Sequence, residues 1–107
     1  MAGLYQLRTY TLKSAEAARA YAPYWPARHK ASLEAYGVKM SGVFLTRSAP
    51  HKVIAVVQFP PGKDPQTTMK EYTGSEQFKK DLEGFDKSQF ESVESVDLEA
   101  AEISPAS

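Results

Sequence analysis

Val38-Lys39-Met40-Ser41-Gly42-Val43-Phe44-Leu45-Thr46-Arg47, the turn Ser48-Ala49-Pro50-His51, and Lys52-Val53-Ile54-Ala55-Val56-Val57-Gln58-Phe59 read as two strands of a β-hairpin. Apolar, mostly β-branched residues fill both strands, as a pleated, half-buried surface requires. Alternation puts Val38, Met40 and Phe44 on one side of the first strand and Val43 and Leu45 on the other. In the second strand Val53, Ala55, Val57 and Phe59 oppose Ile54 and Val56. Both faces of the hairpin are therefore apolar, and both need cover.

Working outward, Leu4 to Lys13 reads as a strand, with Tyr5, Leu7, Thr9 and Thr11 opposite Leu4, Gln6, Arg8, Tyr10 and Leu12. Ser14 is an N-cap, and a helix runs to Tyr36 with Gly37 just past its end. Pro23 and Pro26 each remove a backbone donor, so this helix is expected to kink or split, the second piece starting near Trp25-Pro26. After the hairpin, Asp64 caps a helix with Pro65 at its first position. Gly74-Ser75 breaks or recaps that helix, Phe78 and Leu82 continue its buried face to Gly84, and Phe90 to Ala100 is the last strand. The order is β-α-β-β-α-β, an α+β fold of ferredoxin-like type with a four-stranded antiparallel sheet. A single domain over residues 1–107 is expected, with a frayed tail from about residue 101.

Two helices cover one face of such a sheet. At about 25 cal/mol per Å², a bare second apolar face would cost many kcal/mol, so a homodimer packed sheet to sheet is expected. The alternatives are a bulge that shifts the register, or a tail folded over the face. Composition narrows the partners. Acidic and basic residues number 13 each and form no block, which argues against nucleic acid and against a membrane surface. With no cysteine, thiolate chemistry, disulfides and cysteine-based metal sites fall away. The first residues enter a strand pattern without an apolar leader, which leads to a cytoplasmic expectation.

Tyr5-Gln6-Leu7-Arg8-Thr9-Tyr10-Thr11-Leu12 resembles the first strand of the NIPSNAP family within the dimeric α/β-barrel superfamily. Tyr36-Gly37-Val38-Lys39-Met40-Ser41-Gly42-Val43-Phe44 is similar to that family's helix-to-second-strand segment. Ser75-Glu76-Gln77-Phe78 with Gly84-Phe85-Asp86-Lys87-Ser88-Gln89 is similar to its approach to the last strand. Thr46 to Lys52 departs from the pattern, standing where members commonly carry a turn with Gly and Asn. The resemblance implies a homodimer of ferredoxin-like subunits with a cleft between helices and sheet. The wider superfamily includes cofactor-free monooxygenases, polyketide cyclases, dehydratases and haem-handling proteins, and fold kinship does not choose among them.

Among chemically capable residues, His29 shares a helical face with Trp25 and Leu33, and Ala18 and Ala22 extend the stripe. It is either an acid/base at the mouth of an apolar cleft or a core histidine with its hydrogen bonds satisfied. Tyr72 is the expected orienting hydroxyl, while Tyr24, Trp25 and Phe78 line an aromatic pocket or belong to plain core. Arg8, flanked by Tyr10, is expected to pair across strands with Glu94, the alternative being a clamp for an anionic or carbonyl group. His51 lies in the hairpin turn, far from His29, and no metal site is expected. No phosphate loop or nucleophile elbow is present in the sequence. The leading expectation is a cofactor-free enzyme acting on a hydrophobic carbonyl- or phenol-bearing small molecule, with His29 as general acid/base. The rivals are a non-catalytic dimeric carrier, and a haem-associated protein with His29 as axial ligand.

Overall fold

A computed structural model describes residues 4–100; the expected tail falls outside them. Four strands, β1 (Leu4–Leu12), β2 (Lys39–Leu45), β3 (Lys52–Phe59) and β4 (Phe90–Glu99), form one antiparallel sheet in the order β2-β3-β1-β4. The first strand in the chain is thus central, and what it carries on its covered face lies at the heart of the domain. The architecture is the ferredoxin-like α+β fold that the element order predicts.

The first helical segment splits at its prolines. Helix α1 (Ala15–Tyr21) is capped by Ser14, whose Oγ accepts from the Ala17 amide at 3.0 Å. A π-helical turn, Trp25–His29, follows, and α2 (Lys30–Glu34) completes the segment. Pro26 has no N–H to offer the Ala22 carbonyl, which accepts instead from Trp25 at 3.1 Å. The Lys30 amide reaches back to the Trp25 carbonyl, the wide ring of a π-turn. Beyond α2, Gly37 adopts φ +80°. There the Val38 amide bonds the Leu33 carbonyl at 3.0 Å and the Gly37 amide bonds Glu34 at 2.9 Å, a Schellman end.

On the other side, α3 (Pro65–Thr73) starts at Asp64, which accepts from both the amide and the hydroxyl of Thr67. Ser75 then joins two helices. Its Oγ donates to the Tyr72 carbonyl at 2.6 Å and accepts from the Phe78 amide at 3.2 Å, closing α3 and opening α4 (Glu76–Asp81).

The helices pack on the sheet face that bears Tyr10, Leu12, Val53, Ala55, Val57 and Phe59, all buried, with Tyr21, Trp25, Leu33, Met69 and Tyr72 completing the core. In β2 the expected alternation is corrected by a bulge between Met40 and Gly42. Ser41 is the extra residue, so Met40, Val43 and Leu45 all oppose helix-side residues of β3, while Phe44 pairs with Ile54 on the open face. The open face stays apolar all the same. Leu7 lies between Val56 and Val96, Tyr5 pairs with Leu98, and Phe44 is 57% and Val96 55% exposed.

The Gly37 turn gives a direct check. A Cβ there would stand 3.1 Å from Pro60 Cγ on a left-handed backbone. Gly37→Ala should cost about 1–2 kcal/mol in urea unfolding, with the fold retained by circular dichroism.

Candidate functional site

His29 is 1% exposed, and both of its ring nitrogens are engaged. Nδ1 lies 2.6 Å from the Tyr72 hydroxyl and Nε2 3.1 Å from the Tyr21 hydroxyl. The Tyr72 O–H donates to Asp81 Oδ2 at 2.5 Å, and Asp81 Oδ1 accepts from Gln77 Nε2 at 3.0 Å. A phenol has one proton to give, so Tyr72 must accept from His29, and Nδ1 carries the hydrogen. Nε2 is then the lone-pair side and accepts from Tyr21.

The chain continues to the middle of the sheet. Tyr21 packs its ring on that of Tyr10, with centroids 5.2 Å apart. Tyr10 accepts from Arg8 Nε at 2.7 Å, and Arg8 Nη1 donates to Gln6 Oε1 at 2.7 Å. The carboxylate sets the proton order on its side, Tyr21 to His29, to Tyr72, to Asp81, while on the sheet Arg8 donates to Tyr10. Proline placement makes this possible. The π-turn lets Tyr21 and His29 face each other, and Arg28 on the same turn ties it to α4 by donating to the Asp81 and Glu83 carbonyls at 3.1 and 2.6 Å.

Protonation along the chain is settled well away from neutrality. Burial lowers the His29 pKa to about 4, with Arg8 and Arg28 pushing the same way and Asp81 opposing them. Burial raises Tyr10, Tyr21 and Tyr72 above the ordinary phenol value. Burial also pulls on the Asp81 carboxyl in the upward direction. Hydrogen bonds from Ser32, Tyr72 and Gln77, together with His29, outweigh it and hold Asp81 below the usual carboxylate range. At pH 7 the site holds a neutral imidazole, neutral phenols and a charged end on either side.

Two clefts open beside this chain. One, of about 390 Å³, is lined by Arg8, Tyr10, Tyr21, Thr73, Phe78, Leu82, Lys87, Phe90 and Val93. The other, of about 360 Å³, lies along α3 and shares Arg8 and Thr73 with the first. Of the residues expected at a site, Arg8, Tyr10 and Phe78 face the cleft. His29 does not: Phe78 stacks on it at 5.6 Å and stands between it and the opening. Tyr72, Trp25 and Leu33 are core, and Tyr24 sits outside, beneath Arg28, with its ring 4.8 Å from the guanidinium. The haem-ligand expectation for His29 is corrected by the same geometry, since neither ring nitrogen is free to meet an iron.

The expected Arg8–Glu94 pair does not form. Arg8 stands opposite Ser95, while Glu94 opposes Thr9 on the open face. A register shift between Thr11 and Leu12 places Phe90 with the helix-side residues, so parity counted from Phe90 assigns the rest of β4 to the wrong face. Tyr21 and Asp81 are the residues sequence reasoning missed. The break at Pro23 shifts the helical phase, so that Tyr21 and not Ala22 takes the buried stripe. Asp81 carried a signal: an acid in the last turn of a helix opposes the macrodipole, and such a residue commonly answers another partner.

No family model matches the sequence, and no curated protein matches it. Solved structures do. A NIPSNAP family protein of unknown function from Agrobacterium tumefaciens superimposes with a TM-score of 0.73 at 19% identity, over 96% of this chain and 92% of its own. An uncharacterized NIPSNAP-like domain protein from Burkholderia xenovorans gives 0.75 at 15%, over 96% and 89%. The fold is that of NIPSNAP proteins. A candidate antibiotic biosynthesis monooxygenase from Nitrosomonas europaea shares it too, with a TM-score of 0.66 at 8% identity over 98% and 97% of the two chains. The family resemblance read from the first strand thus agrees with the fold, and the central strand β1 is what positions Arg8 and Tyr10 at the cleft.

The His29 environment predicts a pH signature. Its folded pKa, about 4, lies below the ordinary 6.5, so the unfolded chain binds the extra proton between those values. Stability is full above pH 6.5 and falls by up to about 3 kcal/mol as pH drops towards 4. Asp81, also lowered, loses its contribution only below its ordinary 3.8, so the window belongs to His29. Urea unfolding at pH 7 and pH 4.5 should show the loss, and His29→Leu should be less stable at pH 7 but nearly flat across that interval.

Proposed function

We propose that the chain is a small cofactor-free enzyme that moves a proton on a hydrophobic carbonyl- or phenol-bearing molecule held in the cleft beside Tyr21. One observation carries this reading: a phenol on the cleft wall has its proton aimed at the bare nitrogen of a neutral imidazole. In the step, a substrate C–H or O–H gives its proton to Tyr21 Oη as the Tyr21 proton passes to His29 Nε2. The substrate becomes an enolate or phenolate, and the imidazolium keeps its Nδ1–H on Tyr72, with the Asp81 carboxylate 3.9 Å from Nδ1. Holding that proton at pH 7 costs about 4 kcal/mol, small enough for a transient and too large for a resting state. His29 therefore works through Tyr21 and does not touch substrate, and Tyr72 fixes its tautomer. Return of the proton elsewhere on the substrate gives isomerisation; loss of a leaving group gives elimination; attack within the molecule gives cyclisation. Reaction of the anion with oxygen gives cofactor-free oxygenation, a reading that the likeness to a candidate monooxygenase supports.

A carrier role is the second reading. It is favoured by the completed hydrogen bonding of His29, both of whose ring nitrogens already have protein partners. Exchange of the α-protons of 2-tetralone in deuterated water, followed by NMR, separates the two. The enzyme reading expects acceleration by the protein, and a drop of about 100-fold or more in Tyr21→Phe with the fold kept. Equal exchange with Tyr21→Phe would leave the carrier reading standing.

The assembly is proposed to be a homodimer closed over the open sheet face, because Phe44, Val96 and Leu98 are exposed around half-buried Leu7, Ile54 and Val56. Sedimentation should give twice the chain mass, and Phe44→Asp combined with Val96→Asp should give a monomer. A wild-type monomer at micromolar concentration would remove the proposal.

A further inference from the structure

Arg8 is 8% exposed, yet no carboxylate stands within ion-pair distance of it among the described residues. Its Nε and Nη1 are committed to Tyr10 and Gln6. Nη2 has no protein acceptor among the described residues. Asp97, the nearest acid through the network, is reached only by way of Gln6 and also accepts from Gln66. A buried cation without a counter-ion is costly, and here it lies where the two clefts meet. The surroundings differ on the two sides. Along α3 the walls are Gln66, Thr67, Lys70 and Thr73, polar and cationic around Met69. Towards β4 they are Phe78, Leu82, Phe90 and Val93, with Lys87 at the rim. Among the described residues no acid lines either cleft.

We infer that the joined clefts bind a hydrophobic carboxylate, its anionic head on Arg8 Nη2 beside Thr73 and Lys70 and its apolar body over Phe78, Leu82, Phe90 and Val93. The guanidinium then gains the counter-ion that the fold withholds, in a charge-assisted hydrogen bond. The combined space suits a molecule of the size of an aryl or medium-chain acid. This deepens the proposed function and rests on its cleft, though not on its chemistry. The carboxylate end is the anchor, and the body lies towards Tyr21, where a carbonyl or phenol carried on it meets the proton relay.

Isothermal titration with two matched pairs, 2-naphthoate against 2-naphthamide and decanoate against decanamide, tests the charge requirement on the unmodified protein. The expected result is one site per chain, with each acid binding about 30-fold or more tighter than its amide. The preference should shrink at high salt. Arg8→Gln should bring the acids down to the level of the amides, and Arg8→Lys should retain part of the preference. Equal binding of acid and amide overturns the inference while leaving a cleft for neutral substrates. Failure of both acids to bind at millimolar concentration also overturns it, and the enzyme reading is then decided separately by the 2-tetralone exchange. A preference that survives Arg8→Gln, in a variant that folds, moves the anion elsewhere and rejects the assignment.

Discussion

A guanidinium sits on the covered face of the central strand, and much of the polar architecture answers to it. With no carboxylate of the described residues alongside, burying Arg8 there obliges the fold to spread the charge through hydrogen bonds. Gln6 takes one side and passes to Asp97; Tyr10 takes the other and packs its ring on Tyr21, where the line that ends at Asp81 begins. Because Asp81 is ionised and each group of that line has one hydrogen to give, the direction of every bond in it follows from the carboxylate. Removing a middle member would strand a buried donor on one side and an acceptor on the other, the costly way to lose a hydrogen bond.

The line could not be drawn on a regular helix. Eight residues of straight α-helix turn the last side chain about 80° from the first, so Tyr21 and His29 would look in different directions. Pro23 and Pro26 break the ladder, and the π-turn resets the phase until both rings face the core, their centroids 5.9 Å apart. What resembles a defect in the helix is the device that joins the sheet-borne half of the chain, Arg8 and Tyr10, to the helix-borne half, His29, Tyr72 and Asp81. Arg28 then holds the wide turn against the end of α4, which keeps Asp81 within reach.

The fold was legible in the sequence because its signals are local and strong. Asp64-Pro65, Gly74-Ser75, Gly37 and the hairpin each act over a few residues, and the elements they bound appear within a residue or two of expectation. The face assignments failed where one residue changed the count. Ser41 in β2 and the shift at Leu12–Phe90 each reverse the parity downstream, and nothing in composition marks either. The site was half legible for the same reason. His29 with Tyr72 could be paired by chemistry, and Arg8 with Tyr10 by alternation. Tyr21, which joins the pairs, lies on the far side of the proline break, and Asp81 lies 73 positions beyond Arg8 and 52 beyond His29, so no periodicity connects them.

The settled protonation of the chain decides what kind of site this can be. A histidine with a pKa near 6.5 would switch its charge in the physiological range and carry a pH-sensitive function; with a value of about 4 it does not. The field at the cleft is therefore fixed in sign, positive at Arg8, with the Tyr21 and Tyr72 protons directed towards Asp81. Such an arrangement favours negative charge arriving beside Arg8 and a proton departing through Tyr21, the two events that the proposed function and the proposed ligand combine. β1 links this to the open face. Its even-numbered residues Gln6, Arg8 and Tyr10 belong to the candidate site, while Tyr5, Leu7 and Thr9 between them form the surface proposed to meet a second copy. Cover on that surface would stiffen the same strand that holds the guanidinium, so that assembly and site share one element and are not independent features of the fold.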